Sequence, residues 1–298
     1  MSSWAIQLQG VTLPGAADRL LEARVDMLVI EPCSSIRGME MTSTRELVRR
    51  IRLSRGRSRE RKLCIAYLNI GQAEDYRIYW RQDEWRIGSP DFLLGKDPDG
   101  WAGNYPVAFW DPRWRRILCG NPASLLDQIL AAGFDGVYMD WVLGYQDPTV
   151  LRAAESAGID AARAMVELIA GLRSYARSRR PGFLLIAQNG AGLACREPVL
   201  LELIDGFAQE DLLFRGDARA AWEDPSAGDL PGVRPEDGDP LSRGLEKSLA
   251  RGIPVFSLDY AIRPENVRKA YETNRRRGLV PFVSRTPLDR LPVHVLQE

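Results

Sequence analysis

Two segments of the 298-residue chain end on a carboxylic acid at the same distance from an Asp-Gly start. They are Phe134-Asp135-Gly136-Val137-Tyr138-Met139-Asp140 and Ile204-Asp205-Gly206-Phe207-Ala208-Gln209-Glu210. A third run, Val25-Asp26-Met27-Leu28-Val29-Ile30-Glu31, also opens on Asp and closes on an acid. Short apolar runs of this kind read as buried parallel strands, and an acid at the C-terminal end of such a strand stands where barrel enzymes keep their chemistry. For one strand alone, a cap on the following helix explains the acid equally well; three runs agreeing in length and ending favour a shared site. Carboxylates held close raise each other's pKa, which suits one acid and one base at neutral pH, the division of labour used in glycoside hydrolysis. A mouth lined this way could instead hold Mg²⁺ or Ca²⁺, since both take oxygen ligands.

The elements that must position these acids follow from periodicity. Apolar runs at about 4–9, 26–31, 63–69, 135–140, 183–189, 204–210, 254–259 and 280–284 predict eight strands. Amphipathic stretches at 14–24, 43–52, 122–132, 151–179, 241–251 and 264–277 predict the helices between them. Repeated alternation of this kind is the pattern of an α/β chain folded as a single (β/α)8 TIM barrel over residues 1–298. A doubly wound sheet is the runner-up, weakened because no GxGxxG turn follows the first strand. Side chains in one barrel layer come from alternate strands, so Glu31, Asp140 and Glu210, all on even-numbered strands, are expected to share a layer.

Composition removes several chemistries. The one histidine, His294, is in the C-terminal tail, which argues against Ser-His-Asp catalysis, Cys-His pairs and multi-histidine zinc. Cys33, Cys64, Cys119 and Cys195 are scattered without a CxxC pair, so no cofactor or metal is expected of them. The formal net charge is zero, giving no general pull towards nucleic acid or anionic membrane, and no apolar run reaches the length of a membrane span. The start, Met1-Ser2-Ser3-Trp4, lacks the pattern of a signal peptide. The basic stretch from Arg49 to Lys62 precedes the third strand with no aromatic residue among its charges, and reads as a solvated helix face on the lower side of the barrel rather than a nucleic-acid surface.

The expected upper rim then consists of Gln7 or Gln9, Glu31, Tyr67, Asn69, Glu74, Asp75, Tyr76, Asp140, Gln188, Asn189, Glu210, Asp211, Asp259 and Tyr260. It is strongly acidic, so a neutral or cationic substrate is favoured over a phosphate or carboxylate. Two connections are long. Residues 70–121 carry Trp80, Trp85, Trp101, Tyr105, Trp110 and Trp114, either a substrate wall for flat sugar faces or an insertion with a core of its own. Residues 215–240, rich in Pro, Gly and acids, predict an acidic loop, mobile as a lid, after the sixth strand.

Several blocks in order resemble the endo-α-1,4-polygalactosaminidases of glycoside hydrolase family 114. They are Trp4-Ala5-Ile6-Gln7-Leu8-Gln9-Gly10, Tyr67-Leu68-Asn69-Ile70-Gly71-Gln72-Ala73-Glu74-Asp75-Tyr76-Arg77, the segment ending at Asp140, Gln188-Asn189-Gly190, the segment ending at Glu210, and Phe256-Ser257-Leu258-Asp259-Tyr260. The resemblance implies a (β/α)8 barrel that cleaves α-1,4-linked galactosamine polymers, with Asp140 and Glu210 as the catalytic carboxylates. It departs at Gln72, where relatives commonly carry Glu, and at Asn69, where Ser is usual. On this reading Asp140 is the nucleophile and Glu210 the acid/base of a retaining hydrolysis; Tyr67, Trp110, Gln188, Asn189, Asp259 and Tyr260 position sugars, and Glu31 and Glu74 meet ammonium groups. The alternatives are a barrel that binds carbohydrate without turnover, and a hydrolase of another α-linked amino-sugar polymer.

Overall fold

The computed structural model describes residues 2–297 apart from Arg234 and Asp237; Met1, Glu298 and those two lie outside the described residues. Among the described residues, eight strands form one parallel sheet in chain order. They are β1 (Trp4–Gln7), β2 (Met27–Ile30), β3 (Leu63–Asn69), β4 (Gly136–Asp140), β5 (Leu184–Gln188), β6 (Gly206–Glu210), β7 (Val255–Tyr260) and β8 (Val280–Ser284). The seam between β1 and β8 is bridged by the Trp4 indole, which donates to the carbonyl of Val280 at 2.9 Å. Above it, the Leu8 and Gln9 amides donate to the carbonyl of Leu288 at 2.9 and 3.1 Å. The fold is a TIM barrel, with strands within one or two residues of those expected.

The register determines which side chains meet. Followed from Trp4 round to the last strand, the ladders arrive at a level eight residues before Phe282, yet the Phe282 ring centroid lies 5.7 Å from that of Trp4. A constant height in the barrel therefore climbs about one residue per strand, the shear of an eight-stranded barrel. Inward positions stack in layers drawn from alternate strands. The floor is aromatic: Trp4 packs on Phe256, Phe282 and Tyr138 with centroids 5.5, 5.7 and 6.1 Å away. Gly206 makes room for this filling, because a Cβ there would lie 2.9 Å from the Phe256 ring. Above the floor, the even-strand layer consists of Glu31, just past β2, with Asp140, Glu210 and Ser284. The predicted layer exists.

The aspartates that open the three acid-ending runs have a separate task at the opposite end of the barrel. Asp135 accepts from the Cys64 amide at 3.0 Å and lies 3.0 to 3.2 Å from Arg52, Arg61 and Arg180. Asp205 accepts from the Leu185 amide at 2.9 Å and from Arg177 at 2.7 Å. Asp26 accepts from the amides of Ser2 and Ser58 at 3.0 and 2.8 Å. Asp135 and Asp205 each satisfy an amide at the start of the neighbouring strand, whereas Asp26 ties down the segments that lead into β1 and β3. Part of the basic stretch thereby finds its role, since Arg52 and Arg61 close the barrel bottom around Asp135 and buried Lys62 donates to the carbonyls of Leu20 and Leu21 at 3.2 and 2.6 Å.

Helix starts follow Asp-Pro and Asp signals. Asp111, Asp147 and Asp239 each precede Pro and accept amide hydrogens of the first turn, opening helices at Pro112–Leu118, Pro148–Ser156 and Pro240–Ala250. The expected single helix over 151–179 is two, Pro148–Ser156 and Ala161–Arg179. Gly158 takes φ +66°, and Asp160 caps the second through the amides of Ala162 and Arg163.

The 70–121 insertion is built on a ribbon pairing Gln72–Glu74 with Asn104–Pro106. Trp80 stacks on Tyr105 at 4.9 Å, Trp85 sits edge-on to Trp80 and Phe92 at 5.3 and 5.5 Å, and Trp114 is fully buried against Tyr79 at 5.9 Å. These indoles form the core of the insertion itself. Among its described residues, the acidic loop after β6 is fastened by hydrogen bonds; Arg234 and Asp237 of that loop lie outside the described residues. Asp229 accepts from the amides of Ile262 and Arg263 and from Asn266, and Phe214–Arg215 pairs with Leu230–Pro231.

Asp135→Asn should fold with a loss of about 2–3 kcal/mol, because three guanidiniums, themselves partly exposed, lose their counter-charge. Urea unfolding checks this; a midpoint equal to that of the wild type would contradict the clamp.

Candidate active site

A cavity of about 500 Å³ opens over the acidic layer. Glu31, Asp97, Asp99, Asp140 and Glu210 contribute to its lining, and no Lys, Arg or His does so among the described residues. Tyr67, Tyr138, Gln188 and Tyr260 rise from the strands around the two half-buried acids, and Trp101 and Trp141 come from the loops.

Asp140 is held at both oxygens. The Tyr67 hydroxyl donates to Oδ2 at 2.6 Å and the Trp141 amide to Oδ1 at 2.7 Å. Trp141 itself takes a φ of +62°, which turns the chain sharply just after the amide that bonds Asp140. Gly71 and Gly144 accommodate its indole; a Cβ at either would lie 2.8 or 2.3 Å from the ring. Burial, reinforced by the facing Glu210 carboxylate, pushes Asp140 up to about 7 against the pull of those two donors.

Glu210 is held in a parallel way. Asn189 donates to Oε1 at 2.6 Å and the Tyr260 hydroxyl to Oε2 at 2.8 Å. Asn189 also accepts from the Gln209 side chain and the Glu210 amide at 2.9 and 3.1 Å. Its φ of +59° brings it to the site although Gln188, its neighbour, already faces inward. Asp211, next to Glu210, again has a positive φ of +62°; burial, followed by the Glu210 and Asp259 charges, pushes it up to about 9. Three successive strand ends thus hold a non-glycine residue in left-handed backbone, a strain of about 1 kcal/mol or more each that the surrounding contacts must offset.

The other expected site residues divide. Gln188 lines the cavity and accepts from the Tyr138 hydroxyl. Glu31 reaches the cavity, but both its oxygens are taken by buried Arg77 at 2.6 and 3.1 Å. Glu74 lies outside the cavity lining, bonded to Arg77 at 2.7 Å and to the Tyr76 hydroxyl at 2.5 Å. With the Arg77 charge between them, neither is free to meet an ammonium group. Asp259 is fully buried on the outer face of β7, accepting from the Leu213 and Phe214 amides and Asn274 at 2.7, 2.9 and 2.7 Å. Strand alternation explains this, since Leu258 and Tyr260 on either side face the cavity. Trp110 packs edge-on to Phe109 at 5.1 Å, away from the cavity lining, because its loop turns into the helix at Pro112.

Asp97, Asp99 and Trp141 were not among the expected site residues, and Trp101 was expected only as one of the insertion aromatics that could form a substrate wall. Asp97 accepts from the amides of Asp99 and Trp101, both at 2.9 Å, and from Gln72 at 2.7 Å, so it shapes the loop that presents Trp101. An Asp-x-Asp turn followed by Trp was the available signal. Among the described residues no group of three His, Cys, Asp or Glu side chains is placed to hold a metal ion. No helix among them is long and apolar enough to cross a membrane.

Comparison with known proteins identifies relatives of the chain. An uncharacterized protein of Deinococcus radiodurans is 36% identical over 227 residues, covering 76% of this chain and 65% of that protein. The glycoside hydrolase domain of PelA from Pseudomonas aeruginosa superposes with a TM-score of 0.63 at 22% identity, covering 97% of both chains. Ega3 of Aspergillus fumigatus, solved in complex with galactosamine, gives 0.63 at 15% identity, covering 97% of this chain and 93% of that one. At those identities the two structures speak for the fold. The family model described as Glycoside-hydrolase family GH114 matches residues 1–297, and the chain belongs to that family of glycoside hydrolases.

Proposed function

We propose that the protein hydrolyses α-1,4 bonds in a galactosamine-containing polysaccharide, with Asp140 and Glu210 as the reacting carboxylates. The observation that carries this reading is a cavity lined by five acids and no basic side chain among the described residues, two of those acids each fixed by a tyrosine and an amide. Such a cavity attracts an ammonium-bearing sugar and repels an acidic one. The galactosamine bound to Ega3 is of that class.

Asp140 acts as nucleophile on the anomeric carbon and Glu210 as the acid that protonates the leaving oxygen, then as the base that activates water. The two acids stand in one layer on β4 and β6, which favours the shorter separation of a retaining pair, about 5–5.5 Å. The Tyr67 hydroxyl and Trp141 amide orient Asp140, and an incoming ammonium group supplies the positive charge that favours its ionised form. Asp97 and Asp99 supply negative potential beside Trp101, the part expected of Glu31 and Glu74.

Incubation with polygalactosamine, chitosan and neutral α-glucans, with products sized by mass spectrometry, tests the substrate; cleavage of polygalactosamine alone is expected, and cleavage of only the neutral glucan would overturn the reading. Asp140→Asn and Glu210→Gln should each fold and lose about 10²–10⁴-fold or more in turnover. Either retaining full activity removes that residue from the mechanism.

The raised pKa of Asp140 also sets the sign of two pH effects. Ionisation is complete only above about 7, so kcat/KM should rise with pH through that value on its acid limb. Folding favours the protonated acid, so its ionisation costs stability, increasingly as pH rises from about 4 to 7. Asp140→Asn should therefore melt a few degrees higher than the wild type at about pH 8, with the gain vanishing near pH 4. Equal melting temperatures at both pH values would show that the site stores no such cost.

Gly144→Ala should drive the Trp141 indole and its amide off Asp140, lowering kcat by about tenfold or more while KM changes less. Unchanged kcat in this variant would remove the amide from the mechanism.

A further inference from the structure

A second cavity, of about 440 Å³, adjoins the first and shares Gln9, Trp101 and Pro287 with it. Its far side is formed by Arg219 and Trp222 from the loop after β6 and by Asp289 and Arg290 from the segment after β8. Both cavities are therefore on the face where the strands end.

Their chemistry differs. The first has five carboxylates and no cation among the described residues, whereas the second sets Arg219 and Arg290 against Glu223 and Asp289. These charges are matched locally: Arg290 bonds Asp289 at 3.0 and 3.2 Å and approaches Glu223 at 3.8 Å. Arg219 lies 3.6 Å from Asp217, outside the cavity, and its side chain is 81% exposed. Trp222 is fixed in place. Arg285 donates to its carbonyl at 2.5 Å, and the Arg285 and Arg290 guanidiniums stand 5.2 and 5.1 Å from its ring centroid.

We infer that this second cavity is an outlying subsite for an uncharged N-acetylhexosamine unit of the same polymer, while the first selects a free amine at the bond to be cut. An ammonium group gains nothing from a charge-balanced cleft and loses hydration there, whereas an acetamido sugar finds indole surface for its apolar face and a guanidinium donor for its carbonyl oxygen. Trp101 forms the partition between the two units. The substrate this defines is a mixed, partly acetylated chain that runs from Asp140 and Glu210 past Trp101 to Trp222. The inference rests on reading the first cavity as a polysaccharide site, and the test below separates the two.

Binding is measured by calorimetry in the Asp140→Asn background, so turnover does not enter. The probes are a galactosamine trisaccharide, a fully deacetylated galactosamine hexasaccharide and a hexasaccharide N-acetylated at one end. The end-acetylated hexasaccharide should bind about tenfold or more tightly than the deacetylated one, and adding Trp222→Ala should erase that advantage while leaving the trisaccharide unaffected. Arg219→Ala, at a side chain exposed enough for folding not to depend on it, should reduce the same advantage about threefold or more. Melting temperatures confirm that each variant is folded, and if Trp222→Ala is not, Arg219→Ala decides. Equal affinities for the two hexasaccharides, or an advantage that survives the decisive variant, would overturn the subsite. If the advantage depends on these residues but the wild type cuts no galactosamine polymer, the subsite stands and the hydrolase reading falls. If the polymer is cut and the variants change nothing, the reverse holds.

Discussion

The one-residue climb in register from strand to strand is the constraint on which the site depends. It places Asp140 and Glu210, on β4 and β6, at one height in the barrel although their paired positions differ by two residues. A slip of one residue on either strand would turn its acid outward towards the helices. The register is held from below by the aspartates at 26, 135 and 205, each tied to a neighbouring amide, and by the aromatic floor in which Trp4 meets rings from three other strands. The Asp-Gly-to-acid spacing therefore joins two tasks in one short strand, a clamp at the bottom of the barrel and an acid at the cavity above.

Given that placement, chemistry depends on how two carboxylates share a confined space. Each receives one tyrosine hydroxyl and one amide, from backbone at Asp140 and from Asn189 at Glu210. These donors fix the geometry without neutralising the pair, so burial, reinforced by the facing Glu210 charge, keeps Asp140 near 7. The left-handed residues Trp141, Asn189 and Asp211 are the backbone expression of the same economy: each turns the chain within one residue of a strand end, and two of them supply donors to the acids.

Fold and layer were legible in the sequence because both follow from periodicity. Eight apolar runs fixed the strands, and even-numbered position put Glu31, Asp140 and Glu210 together. What was not legible was which rim acids are already paired. Glu31 and Glu74 look free until Arg77, three residues beyond Glu74, folds back between them. Asp259 could have been set aside earlier, since alternation forbids it and Tyr260 from facing the same way. Asn189 breaks that rule only through its positive φ, which no periodicity reveals. The tryptophans of the insertion were ambiguous for a related reason: an insertion of that length needs a core, and Trp80, Trp85 and Trp114 make it, leaving Trp101 to the cavity.

The claim that Asp140 attacks carbon while Glu210 moves the proton is tested most directly by trapping. A 5-fluoro-galactosaminyl fluoride has a leaving group that needs no protonation, so the Glu210→Gln variant should still form a glycosyl-enzyme. Peptide mass spectrometry should then find the sugar on Asp140. Free sugar of inverted configuration with no adduct, or an adduct on any other residue, would contradict the account.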